Sequence, residues 1–235
     1  MKEITKEFVE ASLHMADNGQ SKASERELEL HSTSSRRLKS LLNNLCSKPN
    51  TRYLELGVYK GGSLLSAAIG NKGFEAVAVD NYSYDDREPK KYAPKGSIWD
   101  NMKSQLESNI ARYADPDSGV NPASIKVLQK DWKTVNWNAE KRFDVCFFDI
   151  NPVNKDDYVT FFDTVFLALT DQATIVFSNY SNQQHANDLE SVIESLDSFT
   201  IVSKEQRISG GLSDSTQYGS GVLVLTIQKN KAKGK

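Results

Sequence analysis

One stretch determines how the rest of the chain is interpreted: Arg52-Tyr53-Leu54-Glu55-Leu56-Gly57-Val58-Tyr59-Lys60-Gly61-Gly62-Ser63. It predicts a short buried strand, a tight glycine turn, and a helix that runs to about Gly70. A turn of this kind presents backbone N–H groups together with the positive end of a helix dipole. In an open α/β sheet it lies at the carboxyl edge, where ligands bind. We therefore expect a nucleoside-type ligand at this loop.

The spacing of the glycines narrows the class of ligand. A dinucleotide fingerprint places a second glycine two residues after the first, so that backbone approaches the pyrophosphate. Tyr59 occupies that place, and no Gly-Lys-Ser/Thr follows that would bind a triphosphate. A nicotinamide-dependent Rossmann-like enzyme is thus disfavoured but stays open. A purely structural turn, with glycines that bind nothing, is the other alternative.

Acidic residues end three of the later predicted strands. Asp80 closes the strand 75–80, 23 positions after Gly57, near the offset at which a carboxylate binds ribose hydroxyls. Asp131 follows the strand 124–128, and Asp149 ends the strand 143–149. Each acid alone is more typical of a loop cap. Because the carboxyl ends of parallel strands share one edge, we expect all three near the glycine loop.

The second half continues the alternation of helices and strands. Helices are predicted over 157–169 and 183–196, and strands over 173–177, 199–202 and 221–227. The loop 208–220 is too short for a crossover helix, so the last two strands should be antiparallel. The prediction is an α/β fold with a Rossmann-like, doubly wound, seven-stranded sheet, mostly parallel with a final antiparallel strand.

The chain divides into three predicted parts. Residues 1–32 form an N-terminal helical extension, 33–229 the main domain, and 230–235 a basic tail. An insertion, 81–123, separates the second and third strands. Its second half predicts an amphipathic helix, whose apolar face we interpret as core: Trp99, Met102, Leu106, Ile110 and Tyr113.

Composition excludes several classes of function. The 235 residues carry a net charge of −2, so there is no general basic field and nucleic acid is not expected as a partner. The two cysteines, Cys46 and Cys146, indicate neither a disulfide framework nor a zinc site. No signal peptide or long apolar run is found, which predicts a cytoplasmic protein without membrane contact.

The acid two residues before Gly57 and the glycine four residues after it resemble motif I of class I S-adenosylmethionine-dependent methyltransferases. The resemblance extends from about Ser34 to Ile227. Within the class, the segments 34–45, 53–63 and 80–83 resemble a poorly characterised bacterial and phage branch related to sugar and small-molecule O-methyltransferases. The resemblance implies S-adenosylmethionine as cofactor. It also implies a set of cofactor-binding residues: Glu55, Gly57, Tyr59, Gly61, Gly62, Ser63, Asp80, Asn81, Asp131, Trp132 and Asp149.

Five of these residues have more specific expected roles. Glu55 would hold the ammonium of the methionine moiety, directly or through water. Asp80 would bind the ribose hydroxyls, and Asp131 the adenine amino group. Gly57 and Gly61 would let the cofactor lie against backbone.

The acceptor site departs from that of metal-dependent relatives. Those enzymes place an acid after the fourth strand and an acidic or acid–amide pair after the fifth, and these oxygens bind Mg²⁺. Here Asp149 fills the first position, but the pair is Ser178-Asn179, and the relatives' histidine after the acid is missing. We predict weak or absent metal binding. The candidate catalytic residues are Asp149, Asn179 and His185, with Asp149, if desolvated, or His185 as the base. An exposed helical histidine is the competing interpretation of His185.

The expected function is methyl transfer to a hydroxyl of a sugar, glycan or similar small acceptor. The alternative is a catalytically degenerate module that keeps the fold without turnover, which Ser178-Asn179 favours. The irregular segments 1–32, 82–97 and 205–220 would define the acceptor. By family analogy, a homodimer is expected.

Overall fold

Seven strands form one sheet in the order β3-β2-β1-β4-β5-β7-β6. The computed structural model describes residues 4–30, 32–82, 101–114, 118–150, 153–208 and 217–230. The pairs β1–β2, β2–β3, β1–β4 and β4–β5 are parallel, and β7 is antiparallel to both β5 and β6. The predicted fold is therefore confirmed. The strands are β1 Arg52–Leu56, β2 Glu75–Asp80, β3 Ile125–Gln129, β4 Phe143–Phe148, β5 Leu169–Ser178, β6 Phe199–Arg207 and β7 Val222–Lys229.

Seven α-helices lie in the described part of the chain. They are α1 Lys6–Asp17, α2 Glu25–Leu28, α3 Arg36–Leu45, α4 Gly62–Ala68, α5 Met102–Tyr113, α6 Lys155–Asp163 and α7 Gln183–Glu194. Polar side chains start most of them, as the free N–H groups of a first helical turn require. Ser35, for example, accepts a hydrogen bond from the Leu38 N–H at the start of α3.

Some boundaries differ from the sequence prediction for local reasons. The helix predicted from residue 157 begins at Lys155, because Asn154 and Asp157 form a capping box one turn earlier. It ends at Asp163, and a 3₁₀ turn, Val165–Ala168, follows. Strands β5 and β6 are longer than predicted because both pair along β7 over their polar ends. In the helix predicted from the insertion, Met102 and Leu106 are buried, while Trp99 lies outside the described residues.

Two apolar layers cover the sheet. Alternate residues of β1 point to opposite layers: Tyr53 belongs to the layer under α1, α3 and α4, and Leu54 to the layer under α6 and α7. Such alternation is what strands covered on both faces require. The second layer is aromatic, with the Phe148 and Phe161 rings edge to face at 5.3 Å.

The described part of the predicted N-terminal extension packs into the first layer. Val9, Leu13 and Ala16 of α1 are fully buried in the same core as α3 and α4. Polar contacts add to this packing, since the Asn44 side chain donates to the carbonyls of Ser12 and Gln20. The segment is thus continuous with the core of the main domain.

Among the described residues, no helix combines the length and apolar character needed to span a bilayer. The basic tail beyond Asn230 lies outside the described residues, as does most of the segment 82–97.

Candidate functional site

A cavity of about 500 Å³ opens at the carboxyl edge of the parallel strands. The strand register explains why its acidic residues meet there. Leu56 of β1 is paired with Val79 of β2 and with Phe148 of β4. The next residues, Gly57, Asp80 and Asp149, therefore lie side by side at the sheet edge.

Gly57 occupies the narrowest point of this edge. Its φ of +84° is one that glycine adopts readily, and a Cβ built there would lie 2.2 Å from the Asp149 carbonyl oxygen. Hydrogen bonds fix both neighbouring strands, because the Gly57 N–H donates to Val79 O and the Asp149 N–H to Leu56 O, each at 2.9 Å. A side chain at this position would push β4 away from β1.

Asp80 turns its carboxylate toward the glycine loop. One carboxylate oxygen accepts hydrogen bonds from the Val58 N–H at 2.8 Å and the Tyr59 N–H at 2.9 Å. The other accepts from the Tyr82 N–H at 2.7 Å. Tyr59 and Tyr82 both have left-handed backbone conformations, with φ of +53° and +51°. These conformations are costly for side chains of this size, and the three hydrogen bonds offset that cost.

Glu55 lies beneath the loop and outside the cavity wall. Its side chain is 0% exposed, and its carboxyl oxygens accept hydrogen bonds from the Tyr53 hydroxyl at 2.7 Å and the Ser63 hydroxyl at 2.6 Å. Burial raises the pKa of Glu55 to about 8; the two hydroxyl donors oppose this shift, and the charges of Asp149 and Asp80 add to it. Glu55 therefore does not face the cavity in this structure. It supports the loop from below.

The structure divides the predicted cofactor-binding and catalytic residues into two groups. Those on the cavity wall are Gly57, Tyr59, Asp80, Asn81, Asp131, Trp132, Asp149 and Asn179. Those set back from it are Glu55, Gly61, Gly62, Ser63 and His185. Gly61 and Gly62 serve packing: a Cβ on Gly61 would lie 2.3 Å from Leu106, and one on Gly62 would lie 2.6 Å from the Ser32 Cβ. Such tight contacts explain these two glycines without a ligand.

Asp149 is the ionisable group best placed for acid–base chemistry. Burial raises its pKa to about 6; a hydrogen bond from the Ser178 hydroxyl opposes this, and the charge of Asp80 adds to it. The Asn179 amide in turn donates to the Ser178 Oγ at 3.1 Å. At neutral pH the carboxylate form predominates, and a desolvated carboxylate can accept a proton from a nearby hydroxyl.

The donor set around Asp149 does not favour a hard cation. It offers one carboxylate, one hydroxyl and one amide, whereas Mg²⁺ and Ca²⁺ select several oxygens and a concentration of negative charge. In the described ranges, no group of three or more His, Cys, Asp or Glu side chains is arranged to hold a metal ion.

His185 lies in the first turn of α7, away from the cavity wall. Its backbone N–H donates to the Asn182 side chain at 3.3 Å. Its Nδ1 atom is buried and has no hydrogen-bond partner among the residues that the structure describes. His185 as the base is therefore less well supported by the geometry than Asp149.

The cavity wall after the end of β3 is formed by Asp131, Trp132 and Lys133, of which the sequence indicated only Asp131 and Trp132. Asp131 is exposed and caps the turn by accepting from the Lys133 N–H at 3.0 Å. Trp132 is buried, with its ring edge to face against Phe148. The Lys133 ammonium forms an ion pair with Asp157 across the cavity, joining this wall to the start of α6. Neither this pairing nor the Asn154 cap that starts α6 was predicted from the sequence.

The opposite wall comes from segments far apart in the chain. Ser34 and Ser35, before α3, face the cavity together with Tyr218 and Ser220, before β7. The Tyr218 hydroxyl donates to Asp17 of α1 at 2.8 Å. No local pattern predicts such a contact, and sequence reasoning gave only the irregular segments as candidates.

Solved structures of methyltransferases have this fold. The match to an O-methyltransferase from Bacillus cereus in complex with SAH covers 96% of this chain and 92% of that enzyme's chain, with a TM-score of 0.55 and 17% identity. TrmN from Thermus thermophilus matches 87% of this chain, with a TM-score of 0.55 and 15% identity, and the chain spans 52% of its length. An rRNA methylase from Streptococcus thermophilus matches 82% of this chain and 94% of its own, with a TM-score of 0.50 and 11% identity.

No protein-family model and no curated protein matches the sequence. At the identities found, the structural similarity establishes the fold, and function has to be argued from the site.

Proposed function

We propose that this protein is an S-adenosylmethionine-dependent methyltransferase that acts on a hydroxyl of a sugar, a glycan or another small neutral acceptor. One observation carries the proposal: β2 and β4 deliver the Asp80 and Asp149 carboxylates beside a glycine loop whose Val58 and Tyr59 N–H groups already donate to Asp80. These two negative charges attract a cation, and the two loop N–H groups are not available to a phosphate. S-adenosylmethionine is a nucleoside that carries a sulfonium and an ammonium and has no phosphate.

The residues on the wall fit the parts of this cofactor. Asp80 keeps one acceptor position for a ribose hydroxyl, since a carboxylate accepts about four hydrogen bonds and three are used. Asn81, Asp131 and Trp132 lie on the same wall, and the adenine ring would pack beside Trp132 and Asp131. Gly57 and Tyr59 line the part of the wall beside which the methionine portion would extend. A nicotinamide dinucleotide fits poorly, because its pyrophosphate would meet the Asp80 carboxylate.

The acceptor half of the cavity is lined by hydroxyls and amides. Ser34, Ser178, Asn179 and Ser220 supply neutral hydrogen-bonding groups, which suit a polyhydroxylated acceptor. Of the two lysines on the cavity wall, Lys133 is paired with Asp157, so an anionic acceptor would find only Lys130 to offset its charge, and this favours an uncharged acceptor.

Transfer of the methyl group needs positioning and one base. S-adenosylmethionine would supply an electrophilic methyl group on its sulfonium; the acceptor oxygen would gain that methyl group as the carbon–sulfur bond breaks, and the neutral thioether S-adenosylhomocysteine would be released. Asp149 takes the acceptor's hydroxyl proton, and the Ser178–Asn179 pair holds its carboxyl group in place.

Calorimetric titration with S-adenosylmethionine and S-adenosylhomocysteine, with and without Mg²⁺, is the first test. We expect micromolar binding, about −8 kcal/mol, that does not depend on the metal. Absence of binding by either compound would refute the proposal.

A panel of neutral sugars, sugar phosphates and catechols then tests the acceptor with radiolabelled cofactor. We expect transfer to a neutral sugar and its loss in Asp149→Asn. Asp144→Asn is the matched control, because the Asp144 carboxylate binds the Arg52 N–H at the opposite edge of the sheet. Cofactor binding without transfer to any acceptor would favour the alternative, a degenerate module that keeps only the cofactor site.

Two further expectations stay predictions. Nucleic acid is not expected as an acceptor, yet an rRNA methylase has the same fold, so a short RNA belongs in the panel. The expected homodimer is tested by light scattering of the purified protein.

A further inference from the structure

We propose that Asp80 determines which nucleosides enter the cavity: its carboxylate fills the anion-binding nest of the glycine loop, and so excludes nucleosides with a 5′-phosphate. Successive backbone N–H groups in a turn form a concavity that binds phosphate in many nucleotide-binding proteins. In this protein a side chain of the neighbouring strand takes that place.

The hydrogen-bond geometry supports full occupation of the nest. A single carboxylate oxygen of Asp80 lies 2.8 Å from the Val58 nitrogen and 2.9 Å from the Tyr59 nitrogen. Both are ordinary lengths for a charge-assisted hydrogen bond. A phosphate oxygen would have to displace this oxygen to reach the same two donors.

The conformation of the loop depends on the same contact. Tyr59 and Tyr82 have φ of +53° and +51°, and each donates its N–H to Asp80. Asp80 thus holds both left-handed residues: Tyr59 in the loop after β1, and Tyr82 just after the end of β2. Without the carboxylate, both lose the contact that offsets their backbone strain. Asp80 is therefore a positioning residue for the loop as well as a group that faces the ligand.

The surrounding charge acts in the same direction. Asp149, whose carboxylate form predominates at neutral pH, lies close enough to Asp80 for the charge of Asp80 to raise the pKa of Asp149, whereas Glu55, with a pKa of about 8, is protonated and adds no charge. Of the lysines near the loop, Lys60 is buried against the Tyr59 ring, Lys133 is paired with Asp157, and Lys130 lines the cavity, with its backbone N–H donating to the Asp80 carbonyl at 3.1 Å. A 5′-phosphate in the nest would therefore have to displace the Asp80 carboxylate, and Lys130 is the one cavity-wall lysine outside the described ion pairs that could offset its charge.

This inference rests on the proposed function in one respect, namely that the cavity binds a nucleoside. It does not require turnover or a known acceptor. Adenosine and AMP are suitable probes because they differ only in the 5′-phosphate.

The experiment measures adenosine and AMP affinities for the full chain, for Asp80→Ala and for Asp80→Asn. Amide hydrogen exchange of the segment containing residues 57–61 is followed without ligand. We expect the unsubstituted protein to prefer adenosine at least tenfold, and Asp80→Ala to lower that preference at least tenfold while exchange speeds up at least tenfold. Asp80→Asn should lower the preference with little change in exchange, because its amide oxygen still accepts from the loop. Asp144→Ala, which removes a carboxylate–backbone hydrogen bond at the opposite edge, should change neither quantity.

An adenosine preference that persists in both Asp80 variants would overturn the exclusion of phosphate. Unchanged amide exchange in Asp80→Ala would overturn the positioning role. If no protein bound either nucleoside, the nucleoside site would be refuted, and the phosphate exclusion with it. The exchange measurement would still decide whether Asp80 holds the loop.

Discussion

Replacing Gly57 with alanine tests the geometry on which the whole site depends. A Cβ at this position would lie 2.2 Å from the Asp149 carbonyl oxygen and 2.9 Å from its carbonyl carbon. The left-handed φ of +84° adds strain for any residue with a side chain. We therefore expect Gly57→Ala to destabilise the fold and to shift Asp149 away from the cavity.

The two contributions can be estimated separately. Left-handed strain costs roughly 1–2 kcal/mol. Overpacking against a fixed backbone costs about 1–3 kcal/mol, and the total is therefore about 2–5 kcal/mol. The carbonyl has little freedom to move, because the Asp149 N–H is bonded to Leu56 and the Gly57 N–H to Val79. For a chain of this size the loss corresponds to a fall in Tm of roughly 5–15 °C.

Gly19→Ala is the matched control. Gly19 has a φ of +69°, and a Cβ there would meet nothing within 4 Å. It thus carries the strain without the clash. Urea unfolding, followed by tryptophan fluorescence and circular dichroism, gives the free energy of unfolding of both variants, and calorimetry gives the affinity for S-adenosylhomocysteine. Equal destabilisation of the two variants, or normal cofactor affinity in Gly57→Ala, would refute this account of the loop.

Three further predictions concern ionisable groups. Burial raises the pKa of Glu55 from 4.5 to about 8, so the folded state retains a proton that the unfolded state releases, and stability falls as pH rises from about 5 to 8. In urea unfolding, Glu55→Gln should reduce the fall in unfolding free energy by up to about 1.4 kcal/mol per pH unit. Parallel plots of unfolding free energy against pH for the two proteins would contradict this prediction. With the pKa of Asp149 raised to about 6, the rate of methyl transfer should increase as pH rises through 6. Asp149→Asn should lower kcat/KM by about 10²–10⁴ and abolish this increase with pH. An unchanged pH–rate profile in the variant would exclude Asp149 as the base. In a cycle of Asp17→Asn, Tyr218→Phe and the double variant, unfolding should give a coupling energy of about 1 kcal/mol, and strict additivity would show that this contact contributes nothing.

Local patterns explain why the framework of the site was predictable. A buried apolar run followed by glycines defines β1 and its loop, and the apolar run 143–148 defines β4. Because parallel strands share an edge, the positions of Asp80 and Asp149 follow from the strand ends alone.

The directions of the side chains did not follow from the pattern. The Asp80 carboxylate accepts from the N–H of Tyr59, whose backbone is left-handed, and neither the offset of 23 residues nor the glycine spacing encodes that dihedral angle. Glu55 occupies a motif position that suggested a ligand contact, yet the hydroxyls of Tyr53 and Ser63 hold it below the loop. The Tyr218 wall depends on a contact with Asp17, which no window of neighbouring residues contains.

The contact between Asp17 and Tyr218 has a consequence for biosynthesis. The two residues are 201 positions apart, and β7 inserts between β5 and β6 although it follows the other six strands in the sequence. Until β7 leaves the ribosome, one edge of β5 lacks its neighbour, and the cavity lacks the wall that Tyr218 provides. Unpaired strand edges promote association between chains. The ligand cavity is therefore completed only after β7 has been synthesised, and until then the edge of β5 is open to pairing with another chain.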